Sequence, residues 1–111
     1  MQGHPHRGLL PGIETTSGPL GSGLSQACGM AWVGKSDHKN WKVYCLMSDA
    51  EQDEGNTWEG VMFANKYKLN NLIAVVDRNK IEVDGTVEQV MPLGSLKDKY
   101  IAYGWKVFEI D

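Results

Sequence analysis

Apolar and polar residues follow a helical periodicity in some segments of the chain and form strand-length apolar runs in others. Within LSQACGMAWVGK the apolar residues recur at helical spacing, which predicts a first helix. Its predicted apolar face comprises Leu24, Ala27, Cys28, Ala31 and Trp32. The run KVYCLM that follows has the length and the β-branched or aromatic residues of a short strand. The first half of the chain therefore predicts a helix followed by a strand.

The second half repeats this alternation. NTWEGVMFANKYK predicts a second helix with Trp58, Val61, Met62 and Leu69 near one face. NLIAVVD is apolar at every interior position, as parallel strands covered on both faces tend to be. After the turn-like RNKIEVDGT, a third helix is marked by Leu93, Leu96, Tyr100 and Tyr103, and WKVFEI predicts a third strand. This order predicts an α/β fold, with a parallel sheet and crossover helices, after an irregular glycine- and proline-rich segment over residues 1–23.

Length and composition limit the class of protein. The 111 residues suffice for one small domain, and both ends of the chain suggest a piece of something larger. The net charge is −3 and the basic residues are scattered, which argues against a nucleic-acid partner. No apolar run approaches the roughly 20 residues that span a membrane, and the first residues lack the apolar core of a signal peptide. We therefore expect no membrane partner and an intracellular, cytoplasmic protein, with Cys28 and Cys45 as buried apolar residues.

Carboxylates concentrate in SDAEQDEGNTWEG, between the first predicted strand and the second predicted helix. A solvated loop and a metal or phosphate site both explain such a cluster. In open parallel sheets, ligands bind at the carboxyl ends of the strands. The first strand ends at Asp49 and the second at Asp77-Arg78-Asn79, so both polar clusters are expected at one edge of the sheet.

Three kinds of ligand are conceivable. Residues 29–36, GMAWVGKS, fit the phosphate-loop pattern G-x-x-x-x-G-K-[ST], but they end a predicted helix instead of following a strand. Gly34 as a helix C-cap and Lys35 as a cation at the helix end explain them better. The Asp49-x-Glu51-x-Asp53 pattern lacks the glycine and the later acid of a calcium loop.

The third conceivable ligand is Mg²⁺ bridging the strand ends and a diphosphate. Asp49 offers a carboxylate, Asn79 an amide oxygen and Ile81 a backbone carbonyl, which are the oxygen ligands that this cation prefers. The other acids would favour the start of the following helix or stay in water. Asp49 could equally cap that helix, and Asn79 could be a turn residue with a left-handed backbone.

The chain resembles the N-terminal region of transketolases, which are thiamine-diphosphate enzymes. The resemblance rests on GHP, GIETTSGPLGSGLSQACGMA, the run from SDAEQDEG to IEVDG, and YGWKVFEID, in the right order and spacing. It covers essentially all of residues 1–111, as a partial diphosphate-binding domain without the pyrimidine-binding domain. The implied cofactors are thiamine diphosphate and Mg²⁺.

The resemblance also assigns roles to individual residues. Asp49, Asn79 and the Ile81 carbonyl match the metal ligands, and Ala50 matches the residue whose N–H meets the diphosphate. Glu54 matches a glutamate in an acid network between paired cofactor sites at a dimer interface. Gly18 and Leu20 match backbone contacts to the aminopyrimidine ring, and His4 matches a histidine that contacts the donor ketose. Read without the resemblance, His4 is an ordinary exposed histidine, as are His6 and His38.

The sequence departs from the family pattern at two positions of its Gly-Asp-Gly motif, which reads Ser48-Asp49-Ala50 here. A methyl group at Ala50 would be strained if this residue needed a positive φ and would cost little if φ were negative. Ser22 also stands where the family usually has glutamine, and His6 where an acid is common.

The resemblance implies a transferase that is inactive without further domains. The intact assembly would move a two-carbon ketol unit from a ketose phosphate to an aldose phosphate. It would need a complementary pyrimidine-binding domain or subunit, which supplies the glutamate that activates the cofactor, and it would be a homo-oligomer. The alternatives are a non-catalytic binding or dimerisation module and a related thiamine-diphosphate synthase.

Overall fold

The computed structural model describes residues 2–110. Met1 and Asp111, the two ends of the predicted 1–111 domain, lie outside the described residues. The main helices are α1 (Ser22–Ser36) and α2 (Gly55–Lys66), and the main strands are β1 (Val43–Ser48) and β2 (Leu72–Asp77). One turn of 3-10 helix, which we call the acidic turn, spans Ala50–Asp53. The chain continues through β3 (Ile81–Glu82), β4 (Gly85–Thr86), α3 (Val87–Val90) and α4 (Leu96–Ala102).

The sheet is the parallel one that the sequence predicts. β1 and β2 are adjacent and parallel, in a register that runs from Val43 opposite Leu72 to Ser48 opposite Asp77. Helix α2 lies between them in sequence and makes the crossover. The carboxyl ends of both strands consequently meet at one edge. The segment predicted as a turn contains the short antiparallel hairpin β3–β4 instead.

The core lies between one face of this sheet and the two long helices. Leu24, Ala27, Cys28 and Ala31 of α1 are buried there, as the periodicity predicts. They pack in one cluster with residues of β1, α2 and β2, including Cys45, Met47, Val61, Ala64 and Leu72. Trp32 and Met62 were predicted on the buried faces, but each is 47% exposed. The Trp32 ring packs against the rings of Phe63 and Tyr67, which cover only part of it.

Two predictions for the C-terminal part of the chain are wrong. The predicted strand over residues 105–110 does not form. Trp105 is instead anchored by its backbone N–H to the Tyr100 carbonyl (3.0 Å) and by its ring N–H to the Val61 carbonyl (3.1 Å). The third helix is shorter than predicted, because Ser95 caps α4 through a bond from the Asp98 N–H and leaves Leu93 outside it.

Helix α1 also continues past the predicted C-cap. Gly34 is buried inside the helix, where a Cβ would collide with the Trp41 ring, so this glycine makes room for Trp41. Lys35 is in the last turn, as expected of a cation, but its ammonium donates to the carbonyls of Tyr67 and Lys68 at the end of α2.

Only one face of β2 is covered. Val75 is 47% exposed, although the continuous apolar run predicts coverage on both sides. Its neighbours on the same face of β1, Tyr44 and Leu46, are more exposed still. Within residues 2–110, no helix combines the length and the apolar character needed to cross a membrane.

We expect the free energy of unfolding to fall as the pH rises from about 9 to 11. Burial raises the pKa of Cys28 from its usual value of 9.0 to about 11. Burial, with smaller contributions from Glu51 and Cys28, does the same to Cys45. Burial likewise raises the pKa of Tyr100. Above pH 9 the unfolded chain loses these protons while the folded chain keeps them, so the unfolded state binds fewer protons and is favoured.

Urea denaturation at pH 8 and at pH 10.5 measures this effect. The variant Cys45→Ala is the matched control, and its stability should depend less on pH over this range. A free energy of unfolding that rises with pH in the wild-type chain would contradict the assignment.

Candidate functional site

Asp49 joins the carboxyl ends of the two parallel strands. Its side chain is 1% exposed, and each carboxylate oxygen accepts one backbone N–H. Oδ1 accepts from Ala50 at 2.9 Å, and Oδ2 accepts from Lys80, just beyond β2, at 2.7 Å. The Asp49 N–H in turn donates to the Asp77 carbonyl at 3.2 Å. The carboxylate is thereby held in place by backbone groups from both strand ends.

The loop after β2 contains Asn79, which directly precedes Lys80, the residue whose N–H is bonded to Asp49. Asn79 Oδ1 accepts the Ile81 N–H at 2.8 Å, and its amide group donates to Asp77 at 3.4 Å. The left-handed residue of the loop is Lys80, with φ of 64°, so the sequence interpretation that gives this conformation to Asn79 is wrong. The conformation of Lys80 turns its N–H toward Asp49, so that Asn79 and Ile81 flank the residue bonded to this carboxylate. We call Asp49, Asn79 and Ile81 the Asp49 cluster.

The two departures from Gly-Asp-Gly are accommodated without strain. Ser48 Oγ accepts the Glu51 N–H at 3.1 Å and so caps the acidic turn. Ala50 is the first residue of this turn and does not have a positive φ. Asp49 caps this turn, since its side chain accepts the Ala50 N–H, but it does not cap α2, whose N-cap is Glu54.

Replacing both residues by glycine should therefore destabilise the chain. We expect Ser48→Gly/Ala50→Gly to lower the free energy of unfolding by about 1–2 kcal/mol, because a cap is lost and glycine is a poor helix former. Urea denaturation measures the change, and Ser48→Ala separates the contribution of the hydroxyl. An equal or higher stability of the double variant would show that the serine and alanine are themselves strained.

The remaining acids of this segment have distinct surroundings. Glu51 accepts the Gly21 N–H at 2.9 Å through Oε1. Glu54 is exposed and occupies the N-cap position of α2. Asp53 is exposed in the acidic turn, and its pKa is raised by partial burial and by Glu54 and Asp49, against an opposing effect of Lys99. Of the acids in this segment, Asp49 is thus buried and Glu51 contacts the loop before α1. Asp53 and Glu54 are exposed to solvent.

A buried network of hydrogen bonds holds the acidic turn on the side that faces the core. Gln52 is 1% exposed, and its Oε1 accepts the Tyr100 hydroxyl at 2.7 Å. Its amide group donates to the Ser48 carbonyl at 3.0 Å, and its own carbonyl accepts the Trp58 ring N–H at 2.8 Å. Helices α2 and α4 therefore both hold the turn that follows Asp49.

The N-terminal segment brings His4 next to Gly18. A Cβ on Gly18, whose φ is 152°, would lie 3.9 Å from His4 Cγ. The Ser17 N–H donates to the Pro5 carbonyl at 3.0 Å, which holds these two parts of the segment together. His4 is exposed, and Leu20 is 55% exposed. Gly21 then connects this segment to the acidic turn through Glu51.

The oxygen atoms of the Asp49 cluster suit a hard cation. Each carboxylate oxygen of Asp49 accepts one N–H and keeps a second lone-pair site, and so does Asn79 Oδ1. Residues 2–110 contain no group of three or more His, Cys, Asp or Glu side chains arranged for a metal. A cation here would consequently take further ligands from a phosphate group and water, as Mg²⁺ usually does.

The phosphate-loop pattern does not form such a site. Residues 29–36 lie inside α1, where the backbone N–H groups are bonded within the helix.

Sequence reasoning missed Lys80, Glu51 and Gln52 as parts of the site. Their contributions are an N–H set by backbone conformation and side-chain bonds to distant residues, which spacing does not reveal. The sequence gives one indication of these contacts. The glycine-rich PLGSG before α1 predicts a loop whose conformation has to be fixed by bonds to other segments.

Comparison with known proteins shows to which family the chain belongs. Residues 1–111 match the family described as transketolase, thiamine diphosphate binding domain. The chain belongs to this transketolase family. The resemblance inferred from the motifs is thereby confirmed, and the domain description supports thiamine diphosphate as the cofactor of the family.

Curated transketolase subunits are similar over most of the chain. An apulose-4-phosphate transketolase subunit from Phocaeicola vulgatus is 47% identical over 111 residues, which are 100% of this chain and 39% of that protein. A 6-deoxy-6-sulfo-D-fructose transketolase subunit from Clostridium sp. is 45% identical over 90% of this chain and 36% of its own length. The chain thus spans less than two fifths of these relatives.

Solved transketolases share the fold. The transketolase from Leishmania mexicana superposes with a TM-score of 0.84 at 30% identity, over 96% of this chain and 17% of that one. The transketolase from Campylobacter jejuni gives a TM-score of 0.76 at 34% identity, over 84% and 16%. The α/β architecture with its parallel sheet is therefore a part of the transketolase fold.

Proposed function

We propose that this chain holds Mg²⁺ and the diphosphate of thiamine diphosphate within a transketolase-type enzyme. The observation that supports this most is the buried Asp49 carboxylate, which backbone N–H groups from both strand ends hold at the edge of the sheet where Asn79 follows β2. A carboxylate kept in place this way is available to a cation without reorganisation of the loop.

The proposed ligands of Mg²⁺ are Asp49, Asn79 Oδ1 and the Ile81 carbonyl. The Ala50 N–H would bind a diphosphate oxygen, sharing its proton with Asp49 Oδ1. Gly18 and Leu20 would contact the aminopyrimidine ring through their backbones. Glu54, exposed at the start of α2, would enter the acid network toward a second cofactor site.

When bound, thiamine diphosphate supplies the carbanion chemistry of ketol transfer. The residues of this chain would bind and orient it, and His4, exposed beside Gly18, would contact the donor sugar. In the proposed reaction, a two-carbon ketol unit moves from a ketose phosphate to an aldose phosphate.

The proposed assembly includes more than this chain. Relatives whose names identify them as transketolase subunits support a complementary pyrimidine-binding domain or subunit. We propose that this partner supplies the glutamate that activates the cofactor, that the assembly is a cytoplasmic homo-oligomer, and that the chain alone is inactive. Tyr44, Leu46 and Val75, exposed on the sheet, are consistent with further protein around the domain.

Calorimetric titration tests the binding proposal. Thiamine diphosphate should bind this chain with Mg²⁺ present and not after its removal with EDTA. Asp49→Asn, which removes one charge at constant size, should weaken binding at least about 100-fold, since even indirect partners of a metal contribute 10- to 100-fold. Asp53→Asn is the matched control in the same turn and should bind normally. No binding by the wild-type chain, or equal binding by Asp49→Asn, would refute the proposal.

A further inference from the structure

Gly21 is held through both of its backbone polar groups. Its N–H donates to Glu51 Oε1 at 2.9 Å, and its carbonyl accepts from the Asn56 amide group at 3.0 Å. Glu51 belongs to the acidic turn and Asn56 to the first turn of α2. The loop over residues 18–21 is thereby tied to the segment that follows Asp49.

The backbone conformation and the close surroundings of Gly21 both disfavour any other residue at this position. Its φ is 77°, a left-handed conformation that favours glycine. A Cβ on this residue would lie 2.7 Å from the Cβ of Glu54, so the backbone passes in direct contact with the start of α2. Gly21 is buried and also precedes the first residue of α1.

The two residues that hold Gly21 are themselves anchored, Glu51 through its backbone and Asn56 through its side chain. The Glu51 N–H donates to Ser48 Oγ at 3.1 Å, and the Glu51 carbonyl accepts the Thr57 hydroxyl at 2.9 Å. Asn56 Oδ1 accepts the Ser25 hydroxyl at 3.4 Å, which directs its amide group toward Gly21. The contacts therefore transmit the position of the acidic turn to the 18–21 loop.

We propose that Glu51 and Asn56 are positioning residues that set the distance between the ring-binding loop and the diphosphate-binding turn. This inference rests on the function proposed above, in which Gly18 and Leu20 contact the aminopyrimidine and Asp49 and Ala50 bind the diphosphate end. A ligand that occupies both ends gains affinity from a preset distance, because the protein then loses less conformational freedom on binding. A ligand that occupies only the diphosphate end gains nothing from it.

The affinities for two different ligands distinguish this positioning role from a general loss of structure. Glu51→Ala should weaken binding of thiamine diphosphate with Mg²⁺ about tenfold or more, as expected for loss of a hydrogen bond to a charged group. Binding of inorganic pyrophosphate with Mg²⁺ should stay unchanged. Glu51→Gln keeps an oxygen acceptor for the Gly21 N–H and should restore most of the affinity. Equal weakening of both ligands, or no weakening of either, would overturn the proposal.

Hydrogen exchange tests the same contact without any ligand. The Gly21 amide should exchange at least about tenfold faster in Glu51→Ala than in the wild-type chain and return toward the wild-type rate in Glu51→Gln. Unchanged exchange in Glu51→Ala would overturn the positioning role. If the wild-type chain bound neither ligand, the proposed function would fail, while the exchange rates would still decide whether Glu51 holds the loop.

Discussion

Asp49→Ala is expected to lower the free energy of unfolding by about 2–4 kcal/mol, because it leaves two partly buried backbone N–H groups without an acceptor, and an unsatisfied buried group costs roughly 1–3 kcal/mol. The substitution removes the acceptor of the Ala50 N–H and of the Lys80 N–H together. It also frees the loop after β2, whose left-handed Lys80 is held toward β1 by this carboxylate. Asp49 thus contributes to stability as well as to the proposed cation site.

Urea denaturation without added metal measures this contribution. Asp49→Asn keeps one oxygen acceptor and should lose less stability than Asp49→Ala. Asp53→Ala, in the same turn but exposed, should lie within about 0.5 kcal/mol of the wild-type chain. An Asp49→Ala variant as stable as the wild type would mean that the two backbone bonds are not formed.

Leu24→Ala should be at least as damaging, with an expected loss of about 2–5 kcal/mol. Leu24 is 0% exposed in the core between α1 and α2. Its side chain lies against Gly60, where a Cβ would come within 3.2 Å of Leu24 Cγ. The close approach of the two helices at Gly60 leaves the surroundings little freedom to collapse into the cavity.

Two variants bracket this prediction. Leu24→Met nearly conserves volume and should cost less than about 1.5 kcal/mol. Leu20→Ala removes a leucine that is 55% exposed and should change stability little. If the midpoint of urea denaturation were the same for Leu24→Ala and Leu20→Ala, the assignment of the core would be wrong.

The parts of the fold that sequence predicts are those governed by local periodicity. The buried face of α1 follows from the helical spacing of Leu24, Ala27 and Ala31, and β2 follows from its apolar run. The predictions that fail concern residues whose burial or strand pairing depends on contacts with residues far away in the sequence. Trp105 continues an apolar pattern, yet its ring N–H is bonded to Val61 and residues 105–110 pair with no strand.

The candidate site, too, could be predicted from the sequence only in part. The rule that ligands bind where parallel strands end was enough to predict that the chain after β1 and the chain after β2 meet at one edge. It gave no indication that Lys80, a residue with an exposed charged side chain, would donate its backbone N–H to Asp49. The bond between Glu51 and Gly21 spans 30 residues and depends on the left-handed backbone of Gly21, which residue types alone do not specify.

The position of the cation is the central claim, and NMR with Mn²⁺ in place of Mg²⁺ tests it most directly. Mn²⁺ shares the preference for oxygen ligands in octahedral geometry and broadens the signals of nearby nuclei. In the presence of thiamine diphosphate, we predict the strongest broadening at the amides of Ala50, Lys80 and Ile81, and its loss in Asp49→Asn. Broadening centred on the exposed acids Asp53 and Glu59, or unchanged by Asp49→Asn, would contradict the site at the strand ends.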